Sequence, residues 1–177
     1  MNSEKHYKLN KKFFEQDALV VAPALLGKML VTKKNKTLKK YKITEVEVYR
    51  GEEDEACHAK KGKTKRNVTM YLSGGYLYTY LIYGMYWMMN VVTGKAGHPQ
   101  AILIRGLEGL EGPGKVTRCL GIDKSYCGEN LVASDRIWIE NNNESVRYVT
   151  LKRIGIDYAG EYWKDKLWRF VLNKKNQ

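Results

Sequence analysis

Residues Met70–Val92 read MYLSGGYLYTYLIYGMYWMMNVV and predict a β-hairpin. Gly74-Gly75 marks a turn before the hairpin, and the run from Tyr76 to Tyr83 is rich in strand-forming residues. Tyr83-Gly84-Met85 provides a second turn, after which another apolar run begins. We therefore expect two strands joined at a tip that carries Tyr83.

The same stretch holds six of the chain's 13 tyrosines. Side chains alternate along a strand, so Tyr76, Tyr78 and Tyr80 share one face. Such a stripe most often packs against neighbouring strands. In a basic protein, tyrosine rings also act as stacking platforms for bases, and a bulky residue at a hairpin tip can wedge between base pairs. Both interpretations stay open at this point.

Outward from the hairpin, short elements of both kinds alternate without the regular order of a doubly wound sheet. We expect helices over 13–26, 52–61 and 115–120, with Pro23 interrupting the first. We expect strands over 29–32, 41–49 and 101–105, and the lysine-rich stretch 33–40 is predicted to be the solvated hairpin loop between the first two strands. The sequence thus predicts a single mixed α+β domain over residues 1–177. In this domain a curved antiparallel sheet carries short flanking helices and a protruding β-hairpin.

The net charge of the chain indicates which class of molecule it binds. The 177 residues include 31 Lys and Arg against 19 Asp and Glu, a formal net charge of +12. A globular domain with this excess commonly meets a polyanion, although a basic surface without a partner is the plainer alternative. Nucleic acid is favoured over a membrane, because no segment combines the charge with an apolar helical face.

Cysteine usage and the N-terminus indicate the compartment. No apolar run approaches the roughly 20 residues of a membrane helix, and Met1–Lys12 lacks the apolar core of a secretory signal. Cys57, Cys119 and Cys127 lack the spacing of a zinc site or a disulfide framework. We expect a reduced, cytoplasmic protein without a metal or a cofactor.

The first candidate catalytic side chains lie in the segment Thr44–Tyr49. Alternation turns Val46 and Val48 to the core and places Glu45, Glu47 and Tyr49 on the other face. An ordinary solvated face is the alternative. His58 follows shortly after the strand, and a carboxylate beside aromatic groups in a partly dry pocket can serve as a general base.

Gly109–Lys115 has the spacing of a phosphate-binding loop, but Val116 stands where the magnesium-binding Ser or Thr belongs. A turn that caps a helix is the better interpretation. A nucleotide hydrolase therefore ranks last among the candidate functions.

Several of these motifs resemble the alkyladenine (3-methyladenine) DNA glycosylases. The similar runs are KKFFEQDALVVAPALLGKMLV (11–31), ITEVEVYRGEEDEACHAKKGKTKRN (43–67), YLYTYLIYGMYWMMNVV (76–92), ILIRGLEGLEGPGK (102–115) and RIGIDYAGEYWKDKLWRFVL (153–172). They cover nearly the whole chain in the family's order. Val48, Met88 and Gly114 depart from the residues usual at their positions, which leaves the pocket's dimensions open.

The resemblance implies a monofunctional enzyme that initiates base excision repair. It would flip an alkylated purine, such as 3-methyladenine or 7-methylguanine, out of duplex DNA and hydrolyse the N-glycosidic bond; hypoxanthine is a further candidate. A monomer acting on double-stranded DNA that contains damaged purines is expected.

The resemblance also implies a role for each matching residue. Glu47 would activate the water, and Arg105 would help to hold it. Tyr49, His58 and Tyr80 would enclose the extruded base. Asn90 would exclude guanine, and Tyr83 would intercalate in the DNA. A catalytically silent nucleic-acid-binding module with the same basic, tyrosine-rich face is the alternative from another class. Glu47 discriminates between them, since a pure binder has no use for a carboxylate facing phosphates.

Overall fold

A computed structural model describes residues 7–173, which form one extended, largely antiparallel sheet with short helices around it. The strands are β1 (Met29–Lys34), β2 (Thr37–Arg50), β3 (Leu77–Ile82), β4 (Tyr86–Val92), β5 (Gln100–Leu107), β6 (Leu110–Glu111), β7 (Ile137–Glu140), β8 (Tyr148–Leu151) and β9 (Arg169–Leu172). The helices are α1 (Lys11–Phe14), α2 (Ala18–Leu25), α3 (Pro113–Leu120) and α4 (Gly160–Lys164), and 3₁₀ turns cover Val68–Tyr71, Lys124–Tyr126 and Asp157–Ala159.

The sheet runs in the order β3-β4-β5-β2-β1-β7, with β6 paired to β5, β9 to β2 and β8 to β9. All of these pairings are antiparallel. The predicted α+β fold is confirmed. The predicted domain limits, 1–177, extend beyond the described residues at both ends.

Strand β2 separates two packed regions. Val46 and Val48 are fully buried in the main core, where α2 and the inward residues of β4 and β5 meet. Tyr49 lies on the other face, against a smaller cluster built around Tyr78. Near Glu45 the pairing of β2 with β5 shifts register, and Gly106 allows the close approach there, since a Cβ at that position would lie 3.0 Å from the Glu45 Cβ.

Two tight hairpins project from the sheet. The β3–β4 hairpin is confirmed: its three-residue loop between the paired residues Ile82 and Tyr86 consists of Tyr83 (φ 53°), Gly84 (φ 68°) and Met85. The hairpin expected at 33–40 is present, but the expected length of its loop is wrong, because β1 and β2 continue to a turn at Asn35 and Lys36, with φ of 46° and 67°. All residues of 33–40 are exposed, so the lysines show no burial alternation that the sequence could reveal.

Two predicted helices also differ from the structure. The helix expected over 13–26 is divided into α1 and α2, and Asp17 caps α2 by accepting a hydrogen bond from the Leu19 N–H. Pro23 lies inside α2 rather than at the break. Residues 52–61 form turns, because the Asp54 carboxylate binds the backbone N–H groups of Arg50 and Ala56.

The phosphate-loop interpretation of Gly109–Lys115 is excluded by topology. Strand β6 pairs antiparallel with β5, whereas a phosphate-binding loop follows a parallel strand. Gly112 precedes α3 and Pro113 occupies its first turn, as expected for a helix-initiating turn. Within residues 7–173, no helix is long and apolar enough to cross a membrane, and no group of three or more His, Cys, Asp and Glu side chains could hold a metal ion.

Candidate active site

A cavity of about 620 Å³ opens on the face of the sheet opposite the main core. It is bounded by β2, β3, β4 and β5, by the start of α3, and by the segment 154–158. Six of the seven predicted site residues line it: Tyr49, His58, Tyr80, Tyr83, Asn90 and Arg105. The seventh, Glu47, lies directly behind the wall, in contact with Tyr49 and Arg105. The fold therefore brings together side chains from positions 47 to 105.

Glu47 has no exposed surface but is well supplied with donors. Its Oε1 accepts a hydrogen bond of 2.8 Å from the Ile154 backbone N–H, and its Oε2 accepts one of 3.0 Å from the Tyr49 hydroxyl. The Arg105 guanidinium lies 3.5 Å from Oε2. Oε1 also lies 3.5 Å from Arg105 Nε and 4.0 Å from Arg169 Nε, so both carboxylate oxygens face hydrogen-bond donors.

Burial raises the pKa of Glu47 above its usual value, and the nearby Arg105 opposes that rise. The Ile154 N–H and the Tyr49 hydroxyl also favour the ionised form, whereas Glu45 disfavours it. The result is an acid whose pKa is shifted towards the range of a general base.

Arg105 is itself held in place by a second carboxylate. Its Nε lies 3.2 Å from Glu45 Oε1, and Arg169 Nη1 contacts the same oxygen at 3.0 Å. Two guanidinium groups thus flank Glu45 and Glu47, which come from successive outward positions of β2. This charge balance lets two acids lie close together at the cavity wall.

The aromatic side chains form a connected wall. His58 packs edge-on against Tyr80 with ring centroids 4.4 Å apart, and Tyr80 lies 5.4 Å from Tyr78. His58 Nδ1 and the Tyr78 hydroxyl share a hydrogen bond of 2.9 Å. Burial, followed by the charge of Arg66, lowers the pKa of His58 to about 4, so its imidazole is neutral at pH 7.

Asn90 is buried at the floor of the cavity. Its side-chain Nδ2 donates to the Tyr78 carbonyl at 3.1 Å, across the β3–β4 pair. This bond fixes the orientation of the amide, which gives the floor a rigid polar group beside apolar walls.

Tyr83 stands apart at the tip of its hairpin. It is 82% exposed and adopts a positive φ of 53°, a conformation that bulky residues rarely take. A positive φ in a bulky, non-glycine residue is energetically unfavourable, and the Tyr83 side chain is mostly exposed to solvent.

Sequence reasoning missed two groups that complete the site. Ile154 acts through its backbone N–H, which no residue pattern reveals. Tyr78 was recognised only as a member of the tyrosine stripe, whereas it also orients His58. The exposed residues Arg66, Glu111 and Lys115 also line the cavity, so it carries two positive charges and one negative charge where it meets solvent.

Comparisons with known proteins identify the family of this chain. Residues 12–111 and 108–176 match the family model described as methylpurine-DNA glycosylase (MPG). Relatives named "Putative 3-methyladenine DNA glycosylase" include those of Natranaerobius thermophilus (41% identical), Borreliella burgdorferi (41%) and Legionella pneumophila (42%). Each alignment covers 93% of this chain and 94% or 95% of the relative. The chain therefore belongs to the methylpurine-DNA glycosylase family, the DNA-binding hydrolases that cleave N-glycosyl bonds of DNA.

Proposed function

We propose that this chain, acting as a single-domain monomer, excises alkylated purines that it flips out of duplex DNA. The observation that carries the proposal is the buried Glu47 carboxylate, paired with Arg105 at the back of an aromatic cavity. Ligand cavities of several hundred Å³ suit small molecules, and a purine is within that range.

The chemical step requires little more from the protein than holding the extruded base in place and activating a water molecule. A purine alkylated at N3 or N7 is cationic and leaves readily, so the reaction passes through an oxocarbenium-like sugar. The water oxygen forms a bond to C1′ while the C1′–N bond breaks, and that electron pair neutralises the departing base. Glu47 takes the proton of the water, and Arg105 holds the carboxylate and the water in line.

Binding favours the same class of base. A cationic purine stacks on electron-rich rings with a preference of about 0.5–2 kcal/mol, and Tyr49, His58 and Tyr80 provide such faces. Extrusion of a base costs a few kcal/mol, and less at a damaged pair. Asn90 would crowd the exocyclic amine of guanine and thereby exclude the normal base.

Neutral lesions pose a harder problem, because hypoxanthine must gain a proton before it leaves. Burial lowers the pKa of His58 to about 4, so at pH 7 its imidazole lacks the second ring proton that a general acid would transfer to the base. We accordingly rank 3-methyladenine and 7-methylguanine above hypoxanthine as substrates.

Single-turnover base release tests this proposal. Duplexes carrying 3-methyladenine, 7-methylguanine or hypoxanthine are incubated with excess protein in the presence of EDTA, beside an undamaged duplex. We expect fast release of both cationic bases, slower release of hypoxanthine and none from the undamaged duplex. Binding without any release would instead support the silent-binder alternative.

The tip of the β3–β4 hairpin gives a second prediction. Tyr83→Ala should weaken binding to a lesion duplex by about 10-fold, because base–aromatic stacking contributes about 1–3 kcal/mol. Affinity for undamaged duplex should change far less. Titrations of both duplexes measure the ratio.

Met85→Ala is the matched control, since Met85 is also exposed, at 63%, on the same turn. Equal losses on damaged and undamaged DNA for Tyr83→Ala would make Tyr83 a general contact rather than the residue that fills the vacated stack.

A further inference from the structure

A fully buried ion pair joins Asp54 to Arg153 behind the wall of the cavity. Arg153 Nη1 lies 2.6 Å from Asp54 Oδ2, and Nη2 lies 3.0 Å from Oδ1. Both side chains have no exposed surface. This two-pronged geometry holds the guanidinium in one orientation.

The guanidinium also reaches three other parts of the site. Nη1 donates to the Val48 carbonyl at 3.0 Å, between Glu47 and Tyr49 on β2, and Nη2 donates to the Trp163 carbonyl at 3.1 Å in α4. Its carbon lies 5.1 Å from the centre of the Tyr49 ring. One side chain thus contacts the catalytic strand, a predicted base wall and the C-terminal helix.

The two partners hold segments that carry site residues. The Asp54 carboxylate accepts from the backbone of Arg50 and Ala56, and so shapes the turn that leads to His58. Arg153 immediately precedes Ile154, whose N–H binds Glu47 Oε1. The ion pair is therefore one residue from the donor that fixes the proposed base.

Stability alone explains this pair poorly. Removing two charges from water is costly, and apolar replacements of similar volume are often neutral or stabilising. Arg153 Nε adds to that cost, because it is buried without a hydrogen-bond partner in the described part of the chain.

We propose that Asp54 and Arg153 are positioning residues of the excision reaction. They hold the Ile154 N–H on Glu47, the Tyr49 ring against the cavity and the loop of His58 in a single geometry. The inference rests on the proposed role of Glu47 as the base.

A measurable consequence follows for the ionisation of Glu47. Its carboxylate faces the Tyr49 hydroxyl, the Ile154 N–H, Arg105 and, at longer range, Glu45 and Arg169. The Ile154 N–H favours the charged form. If Ile154 drifts away, the pKa of Glu47 rises, and base release is lost at a higher pH than in the wild type.

The test uses the double variant Arg153→Met, Asp54→Asn in the full chain. Removing both charges leaves no unpaired buried ion, so the fold should persist. We expect single-turnover release of 3-methyladenine to fall about 10- to 100-fold, as for misplacement of a catalytic group by about 1 Å. The acidic limb of the pH profile should move to higher pH, and affinity for undamaged duplex should stay the same. Arg153→Lys, which keeps the charge but loses the planar fork, should show the same pH shift.

Arg136→Lys is the matched control. Arg136 also pairs with a carboxylate, that of Glu129 at 2.6 Å, and lies over the Tyr126 ring, but away from the cavity. It should leave the rate and the pH profile unchanged. A folded double variant with the wild-type rate and acidic limb would overturn the inference. Base release at the wild-type rate by Glu47→Gln would instead overturn the proposed role of Glu47 as the base. Failure of the inference and failure of the proposed function are therefore distinguishable. If the double variant does not fold, Arg153→Lys decides by the same two readouts.

Discussion

We expect Glu47→Gln to abolish base release, while the protein still folds and binds duplex DNA. The amide cannot take the proton of the attacking water, and loss of a general base costs about 10²- to 10⁴-fold. The substitution keeps the size and shape of the side chain, so the cavity is retained. Single-turnover release of 7-methylguanine, beside a binding titration, measures both effects.

Glu45→Gln is the matched comparison, since Glu45 lies two residues away on the same strand and touches Arg105 but not the Ile154 N–H. We expect a smaller loss, of about 10-fold, because Glu47 keeps its two other donors. If both variants lost equal activity, the network rather than Glu47 would carry the reaction.

The pH dependence of the wild type follows from the same group. Burial raises the pKa of Glu47, so the ionised base is lost at a higher pH than an exposed glutamate would be. Base release should therefore fall as the pH drops through that raised pKa, with an acidic limb above the usual carboxyl range. An acidic limb at the ordinary glutamate pKa would contradict the buried setting of the base.

We expect salt to weaken duplex binding steeply. The formal net charge is +12, and each neutralised phosphate releases counterions. With about six phosphate contacts, affinity falls roughly 1,000-fold between about 50 and 200 mM salt. A titration of undamaged duplex at several salt concentrations measures the slope.

The structure identifies the lysines to test first. The exposed residues Lys61, Lys63 and Lys65 lie on the loop that joins His58 to Arg66 at the cavity mouth. Changing all three to Gln should reduce the steepness of the plot of log affinity against log salt concentration by as much as three. Each phosphate that a lysine no longer neutralises reduces the magnitude of this slope by about one.

The control variant replaces Lys33, Lys36 and Lys39 with Gln, which removes the same number of positive charges from the β1–β2 hairpin. These lysines are equally exposed, but they lie on a ribbon that does not line the cavity. A larger slope change in this control than in the loop variant would move the phosphate contacts to the hairpin.

Local sequence patterns were sufficient for the elements whose signals are short-range. The strand alternation of Thr44–Tyr49 and the Tyr83-Gly84 turn needed only neighbouring residues, and both are present in the structure. Motif resemblance pointed to seven site residues in advance, and the fold brings six of them to one cavity and Glu47 directly behind its wall. Their roles remain predictions.

Patterns failed where cross-strand pairing or a distant charged partner overrides local preference. The lysines of 33–40 predicted a loop, but cross-strand hydrogen bonds extend both strands to the turn. The acidic residues of 52–61 predicted a helix, but Asp54 is committed to Arg153, 99 residues away.

The sequence by itself determined the fold class and the basic character, because alternation and turn chemistry are encoded in adjacent positions, and the family resemblance of its motifs suggested the site residues. Only the tertiary structure decided how Glu47 is buried and which groups set its pKa. Those groups are the Ile154 N–H and the Arg105 guanidinium, 107 and 58 residues away along the chain. Desolvation and hydrogen bonding depend on what lies within a few ångströms in space, and that neighbourhood exists only once the sheet has closed around the carboxylate.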